Sequence, residues 1–282
     1  MRTVLIINDN SPEAKHAIEF TLVIAQKMHA HIMLLNTFGM TSKTIKKVPA
    51  GNISTTDLME YPVSGLHSLR LHSLLNVPDK EQTTFNPEIE ELDISNMKEN
   101  EVIQLINRNH IWMMVKGMGD VTSAASSKRS LNIHTVLNGV LCPLLLVPTQ
   151  WQLKNIERLV YITDLRYCHL PIVRYLAELA GLSRAVLSIA HRSARGLPDM
   201  AEDYALTLFR EGVSNNVRYD LLFFYHVKEK DPAKVIDVMI NGIHNDILVL
   251  VNRRCHFEEI VGRYITETLP SHITIPLFIF PC

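Results

Sequence analysis

An aspartate closes an apolar run at two places in this 282-residue chain: T-V-L-I-I-N-D ends on Asp9, and R-L-V-Y-I-T-D ends on Asp164. An acid at the carboxyl end of a parallel strand stands where open α/β sheets bind ligands, beside the point at which strand order reverses. Glycines after a neighbouring strand would let backbone N–H groups approach phosphate oxygens, and the next helix N-terminus would add a favourable dipole. In the first half Lys116, Gly117 and Gly119 precede a serine-rich stretch with Ser123, Ser126, Ser127 and Ser130, and with Lys128 and Arg129. Asp9 and Gly117 would frame such a crevice. The second half reads V-N-R-R-C-H-F-E-E-I-V-G-R at the matching place, with no glycine before Gly262. That connection is too short for a phosphate loop, and Arg253 and Arg254 read as solvated loop charges.

Other chemistries find little support. Of the 13 histidines, His29 and His31 straddle a helix end and a strand start, and His67 and His72, five apart, do not stack on one helical face. No HExxH or Cys/His cluster has zinc spacing, so no metal site is expected. There is no GxSxG elbow, and Ser126 and Ser127 have no His or Asp in register, so no catalytic residue is expected. Glu88, Glu90, Glu91 and Asp93 suit a charged sheet edge better than a general acid. Cys142, Cys168, Cys255 and Cys282 are scattered, as free thiols in a reducing cytoplasm would be.

Composition narrows the classes further. A net charge of −1 leaves no electrostatic footprint for nucleic acid or for a membrane surface. The chain is 47% hydrophobic and 20% charged, as expected of a globular protein, and no apolar run approaches the roughly 18–20 residues of a membrane span. The N-terminus has neither the apolar length nor the small-residue cleavage site of a signal peptide, so a cytoplasmic protein is expected.

The elements that must position the aspartates alternate between strand and helix. The first half predicts strands at Thr3–Asn8, His31–Phe38, Ile89–Ile94, Ile111–Lys116 and Leu144–Val147. Its helices start at Ser11-Pro12, at Ser95 (running to Asn109) and at Leu131, with another near Leu66–Leu75. The second half predicts strands at Arg158–Thr163, Ala185–His191, Leu221–Val227, Ile247–Val251 and Leu277–Phe280. Its helices are Leu170–Ala180, Met200–Val213, Pro232–His244 and Phe257–Leu269. Each half closes on an apolar strand between prolines, C-P-L-L-L-V-P and I-P-L-F-I-F-P. The reading is an internal repeat of two α/β domains, 1–150 and 151–282, each a doubly wound parallel sheet of five strands, with Trp151–Glu157 as linker.

The run V-L-N-G-V-L-C-P-L-L-L-V-P resembles the universal stress protein family, through Val136, Leu137, Cys142, Pro143 and Leu144–Val147. With the aspartate after strand one and the order of elements, the likeness covers the whole chain as a tandem. It implies an adenine nucleotide alpha hydrolase-like fold with sheet order 3-2-1-4-5 and domains paired through their fifth strands. Many members bind ATP and others do not. In the binders the aspartate lies near the adenosine, and G-x2-G-x9-G-[S/T] wraps the phosphates. Here Gly117 takes the first glycine position, Asp120 the second (Gly119 with a one-residue slip), Ser130 the third and Leu131 the hydroxyl position, so the resemblance implies Asp9, Asn10, Gly117, Gly119 and Ser130 as the candidate ligand-binding residues. A carboxylate among phosphates is repulsive. The expectation is a non-enzymatic stress-response binding or scaffold protein without cofactor. The alternative is an ATP-binding protein using the first crevice. A homodimer and an unidentified protein partner are expected, and neither nucleic acid nor membrane.

Overall fold

The computed structural model describes residues 1–39, 47–49, 85–119, 131–266 and 268–282. The helix expected near Leu66–Leu75 and the candidate Ser130 lie outside them. Two compact units emerge: Met1–Met118 with Ala125–Cys142, and Gly119–Ala124 with Pro143–Cys282.

In the first unit β1 (Thr3–Asn8) lies parallel to β2 (His31–Asn36) on one side and to β5 (Met113–Met118) on the other. Beyond β2 comes β4 (Glu88–Asp93), parallel to it, and then β3 (Lys47–Pro49), antiparallel to β4. The charged strand is therefore not the sheet edge expected of it, because β3 pairs with its outer side. Helix α1 (Pro12–Met28) starts as its sequence dictates: Ser11 Oγ accepts the Ala14 N–H at 3.1 Å and Pro12 occupies the first turn. Its stripe Ala14, Ala17, Ile18, Leu22 and Ala25 is buried. Helix α2 (Glu99–Arg108) begins later than expected. The Ser95 N–H is held by the Asp93 carboxylate at 2.8 Å in a turn, while the Lys98 N–H donates to the Glu101 carboxylate at 2.8 Å, half of a capping box. Helix α3 (Ile133–Gly139) is tied to α2 by Asn107, whose amide donates to Gly139 O at 2.9 Å and accepts from the Leu141 N–H at 3.1 Å.

In the second unit β7 (Arg158–Thr163) lies between β8 (Val186–His191) and β10 (Ile247–Val251), all parallel. Strand β9 (Leu222–His226) extends the sheet past β8, and β11 (Leu277–Phe280) extends it past β10. The order β9-β8-β7-β10-β11 is the 3-2-1-4-5 winding in full, and β4-β2-β1-β5 gives its first four places in the first unit. By the expected repeat β6 (Leu144–Pro148) would close the first half; it is grouped with the second unit and runs antiparallel to β11. Leu145 faces Phe278 in that pair, and both are buried.

The helices of this unit are α4 (Leu170–Gly181), α5 (Glu202–Leu208), α6 (Pro232–Asp237) and α7 (Phe257–Ile260). A wider π turn continues α5 over Phe209–Val213 and α6 over Val238–Gly242. The last helix is one turn, not the expected Phe257–Leu269, because Gly262 takes φ +103° just beyond it.

Candidate functional site

Helix α1 and the carboxyl ends of β1 and β5 bring Asp9, Asn10 and Gly117 to one place. The chain leaves β1 through a tight turn: Asn8 Oδ1 accepts the Asn10 N–H at 3.0 Å, and Asn10 takes φ +63°. Asp9 Oδ1 then accepts the Ser11 N–H at 3.0 Å, and its Oδ2 lies 3.7 Å from Lys116 Nζ. Lys116 is 7% exposed at its side chain, so this ion pair is largely screened from water. Gly117 is buried within β5, and a Cβ there would lie 2.0 Å from Glu13 O. Its missing side chain makes room for the first turn of α1. Gly119, two residues further on, forms a parallel bridge with Thr268 and is grouped with the second unit.

Asp164 follows β7 as Asp9 follows β1, and it is wholly buried. Its Oδ1 accepts from Arg166 N–H at 3.1 Å and from Nε at 2.8 Å; its Oδ2 accepts from Arg166 Nη2 at 2.6 Å and from the Ala194 N–H at 2.8 Å. Burial pushes the carboxyl up, but the Arg166 and Ala194 hydrogen bonds outweigh it and hold the group below the usual carboxylate range. Arg166 Nη1 also donates to Pro198 O at 3.3 Å, so the pair pins both ends of the loop after β8. The space beside it, between the ends of β7 and β10, is about 10 Å³ and is lined by Tyr161, Thr163, Tyr167, Leu250 and Cys255.

The pinned loop forms one wall of a larger groove of about 820 Å³ at the ends of β8 and β9. Arg192 braces its floor, donating to Glu259 Oε2 at 2.5 Å and to Lys230 O at 2.6 Å. Arg192 Nη1 also lies 2.8 Å from His256 Nδ1, while His256 Nε2 lies 2.9 Å from Arg192 O. With Nδ1 accepting and Nε2 donating, His256 is neutral, in keeping with a pKa that burial pushes down. The rim is crossed by two exposed ion pairs, Lys228–Glu202 at 2.8 Å and Lys230–Asp199 at 3.4 Å. Acids and bases of the lining balance, so the groove selects no net charge. His191, at the end of β8, is fully buried; its Nδ1 accepts the Leu165 N–H at 3.3 Å and its ring stacks on His226 at 5.4 Å. Burial pushes its pKa down, and the His226 ring adds to this.

Two of the four thiols are held back from nucleophilic chemistry. Cys142 and Cys168 are each pushed up to about 12, both by burial and Cys168 also by the neighbouring Cys255. Among the described residues no group of three or more His, Cys, Asp or Glu could hold a metal ion. No described helix is long and apolar enough to cross a membrane. The sequence reading missed Arg166 and the Arg192–His256–Glu259 cluster. Arg166 had one signal, its place two residues after a strand-closing acid; the cluster joins residues more than 60 positions apart and had none.

The fold defined by these strands is that of the universal stress proteins. A universal stress protein from Archaeoglobus fulgidus DSM 4304 superimposes with a TM-score of 0.57 at 14% identity, covering 99% of this chain and 98% of that one. A functionally unknown protein from Pseudomonas aeruginosa PAO1 gives 0.53 at 13% identity, covering 100% and 92%. At such identities the likeness is one of fold, and the sequence resemblance holds at that level. No protein-family model matches the chain, and no curated protein does.

Proposed function

We propose that this chain is a non-enzymatic binding protein on the universal stress fold, acting in a stress-response or scaffold role in the cytoplasm, with no nucleotide at either switch-point crevice. For the second crevice the observation that carries the reading is the space between β7 and β10, about 10 Å³, which has room for roughly one water molecule. Three further facts support it. Asp164 spends its oxygens on Arg166 and Ala194. Asp9 serves the entry of α1 and Lys116. Gly117 serves close helix packing. The high pKa values of Cys142 and Cys168 argue against covalent catalysis through those two thiols. A small ligand would enter the groove at the ends of β8 and β9, whose 820 Å³ falls within the roughly 300–1,000 Å³ of ligand pockets. A protein is the other partner class.

The test is ATP itself. A ligand at 100 times its Kd stabilises the folded state by about 2.7 kcal/mol, which is several degrees in melting temperature. The expected result is no change in melting with millimolar ATP-Mg, and no adenine nucleotide released on heating the purified protein. A rise of several degrees that Asp9→Ala abolishes would overturn the reading in favour of ATP binding in the first crevice.

A further inference from the structure

The second unit's sheet ends at β9, L-F-F-Y-H, beyond which no described strand pairs. Leu187 N–H donates to Leu221 O at 2.9 Å, and Val227 N–H to His191 O at 2.8 Å. Bonded residues alternate along a parallel strand, so Leu222, Phe224 and His226 aim their N–H and C=O groups away from β8. On one face Phe223 is 48% and Tyr225 36% exposed, while on the other Phe224 stacks against Phe209 at 4.9 Å. Protected edges carry a proline, an inward charge or a bulge, and β9 has none of these. Strand β4 of the first unit, by contrast, is acidic and covered by β3.

We propose that β9 is an interface for a second copy of this chain, pairing antiparallel with itself about a two-fold axis at Phe224. Three features select this occupant. The register sets Phe224 against Phe224 and Leu222 against His226 of the second copy. Those are the residues with outward backbone groups, so each forms a hydrogen-bonded pair. It sets Phe223 against Tyr225 in the closer, non-hydrogen-bonded positions, twice over, where aromatic pairs stabilise a sheet. Asp220 and Lys228 lie four residues either side of Phe224, so opposite charges meet at both ends. The Lys228–Glu202 pair is exposed on both sides and exchanges readily with such a partner. The contact is isologous and closes as a dimer. It does not depend on whether the groove holds a ligand.

Sedimentation velocity of the full chain from about 1 to about 100 μM tests it, since this range spans weak dimers. The wild type is expected to form a reversible species of twice the chain mass; a monomer throughout would overturn the proposal. Phe223→Lys/Tyr225→Lys puts like charges opposite each other and is expected to raise the dissociation constant at least about tenfold. Both side chains are exposed, so far-ultraviolet circular dichroism should be unchanged. Should that variant unfold, Phe223→Thr/Tyr225→Thr keeps strand propensity while removing the aromatic pairs, and the same weakening is expected. Asp220→Lys should weaken the dimer, and Asp220→Lys/Lys228→Glu should restore it. A dimer indifferent to all these changes would be built on another surface and would sink the proposal.

Discussion

Gly117→Ala separates packing from phosphate binding as the reason for that glycine. The new Cβ would lie 2.0 Å from Glu13 O, 2.2 Å from Glu13 C and 2.9 Å from Ala14 N. All three are backbone atoms in a turn fixed by the Ser11 cap and by Pro12, so no rotamer change relieves the clash. Helix α1 must move off β5 by more than an ångström. Overpacking costs about 1–3 kcal/mol, and contact with backbone puts this case near 3. With a urea slope of about 2 kcal/mol/M, the midpoint should fall by about 1.5 M. The assay is fluorescence-detected urea unfolding in a Trp151→Phe background, because Trp112 is then the sole reporter and lies in the first unit. Gly39→Ala, in the same unit, is the control: the nearest atom to its Cβ is Ser95 Oγ at 3.9 Å, and the expected change is within about 1 kcal/mol. A Gly117→Ala midpoint within about 0.3 M of wild type would refute the packing argument. It would return the glycine to ligand binding, above all if the variant lost affinity for ATP.

Three other outcomes are expected. Asp164→Asn leaves Arg166 without its carboxylate. Losing one partner of a buried pair costs about 3–5 kcal/mol, and because the Arg166 side chain is 26% exposed and can turn to water, the loss should be near 3 in urea unfolding of the second unit. His191 and His256 both have folded pKa values below their unfolded ones, so the unfolded chain binds more protons as pH falls below about 6.5. Stability from these groups is complete above that pH and declines beneath it; the melting temperature should drop between pH 7 and pH 5, and His191→Asn should flatten the drop. Leu145→Lys buries a cation where Leu145 is 1% exposed against Phe278; a loss of about 4 kcal/mol or more is expected, and unchanged melting would refute the β6–β11 pairing.

The strands were the legible part of this chain. Buried parallel strands are continuous apolar runs, and those at Thr3–Asn8, Arg158–Thr163, Ile247–Val251 and Leu277–Phe280 end where the sequence marks them. Helix α1 was equally plain, since Ser11 and Pro12 together leave one choice of start. Helix ends decided by competing side chains were not: Asp93 captures the Ser95 N–H, and α2 begins only at Glu99. Of the candidate site, the sequence located Asp9, Asn10 and Gly117 on neighbouring strand ends. It could not tell what each carboxylate faces, because that depends on Lys116 and Arg166 rotamers and on the loop at Ala194. The groove was illegible for a related reason: its walls come from loops after two strands, and its charges cancel in composition as they do in space.

The antiparallel strand Leu144–Pro148 carries a practical lesson about where this polypeptide can be cut. Severing it at the apparent linker, before Trp151, would strip the second half of the neighbour that covers Leu277–Phe280. The remaining fragment would present four apolar residues with open backbone groups to solvent, a template for fibrous self-association. A break placed ahead of Cys142, several residues upstream of where the repeat suggests, keeps the seam between Leu144–Pro148 and Leu277–Phe280 closed.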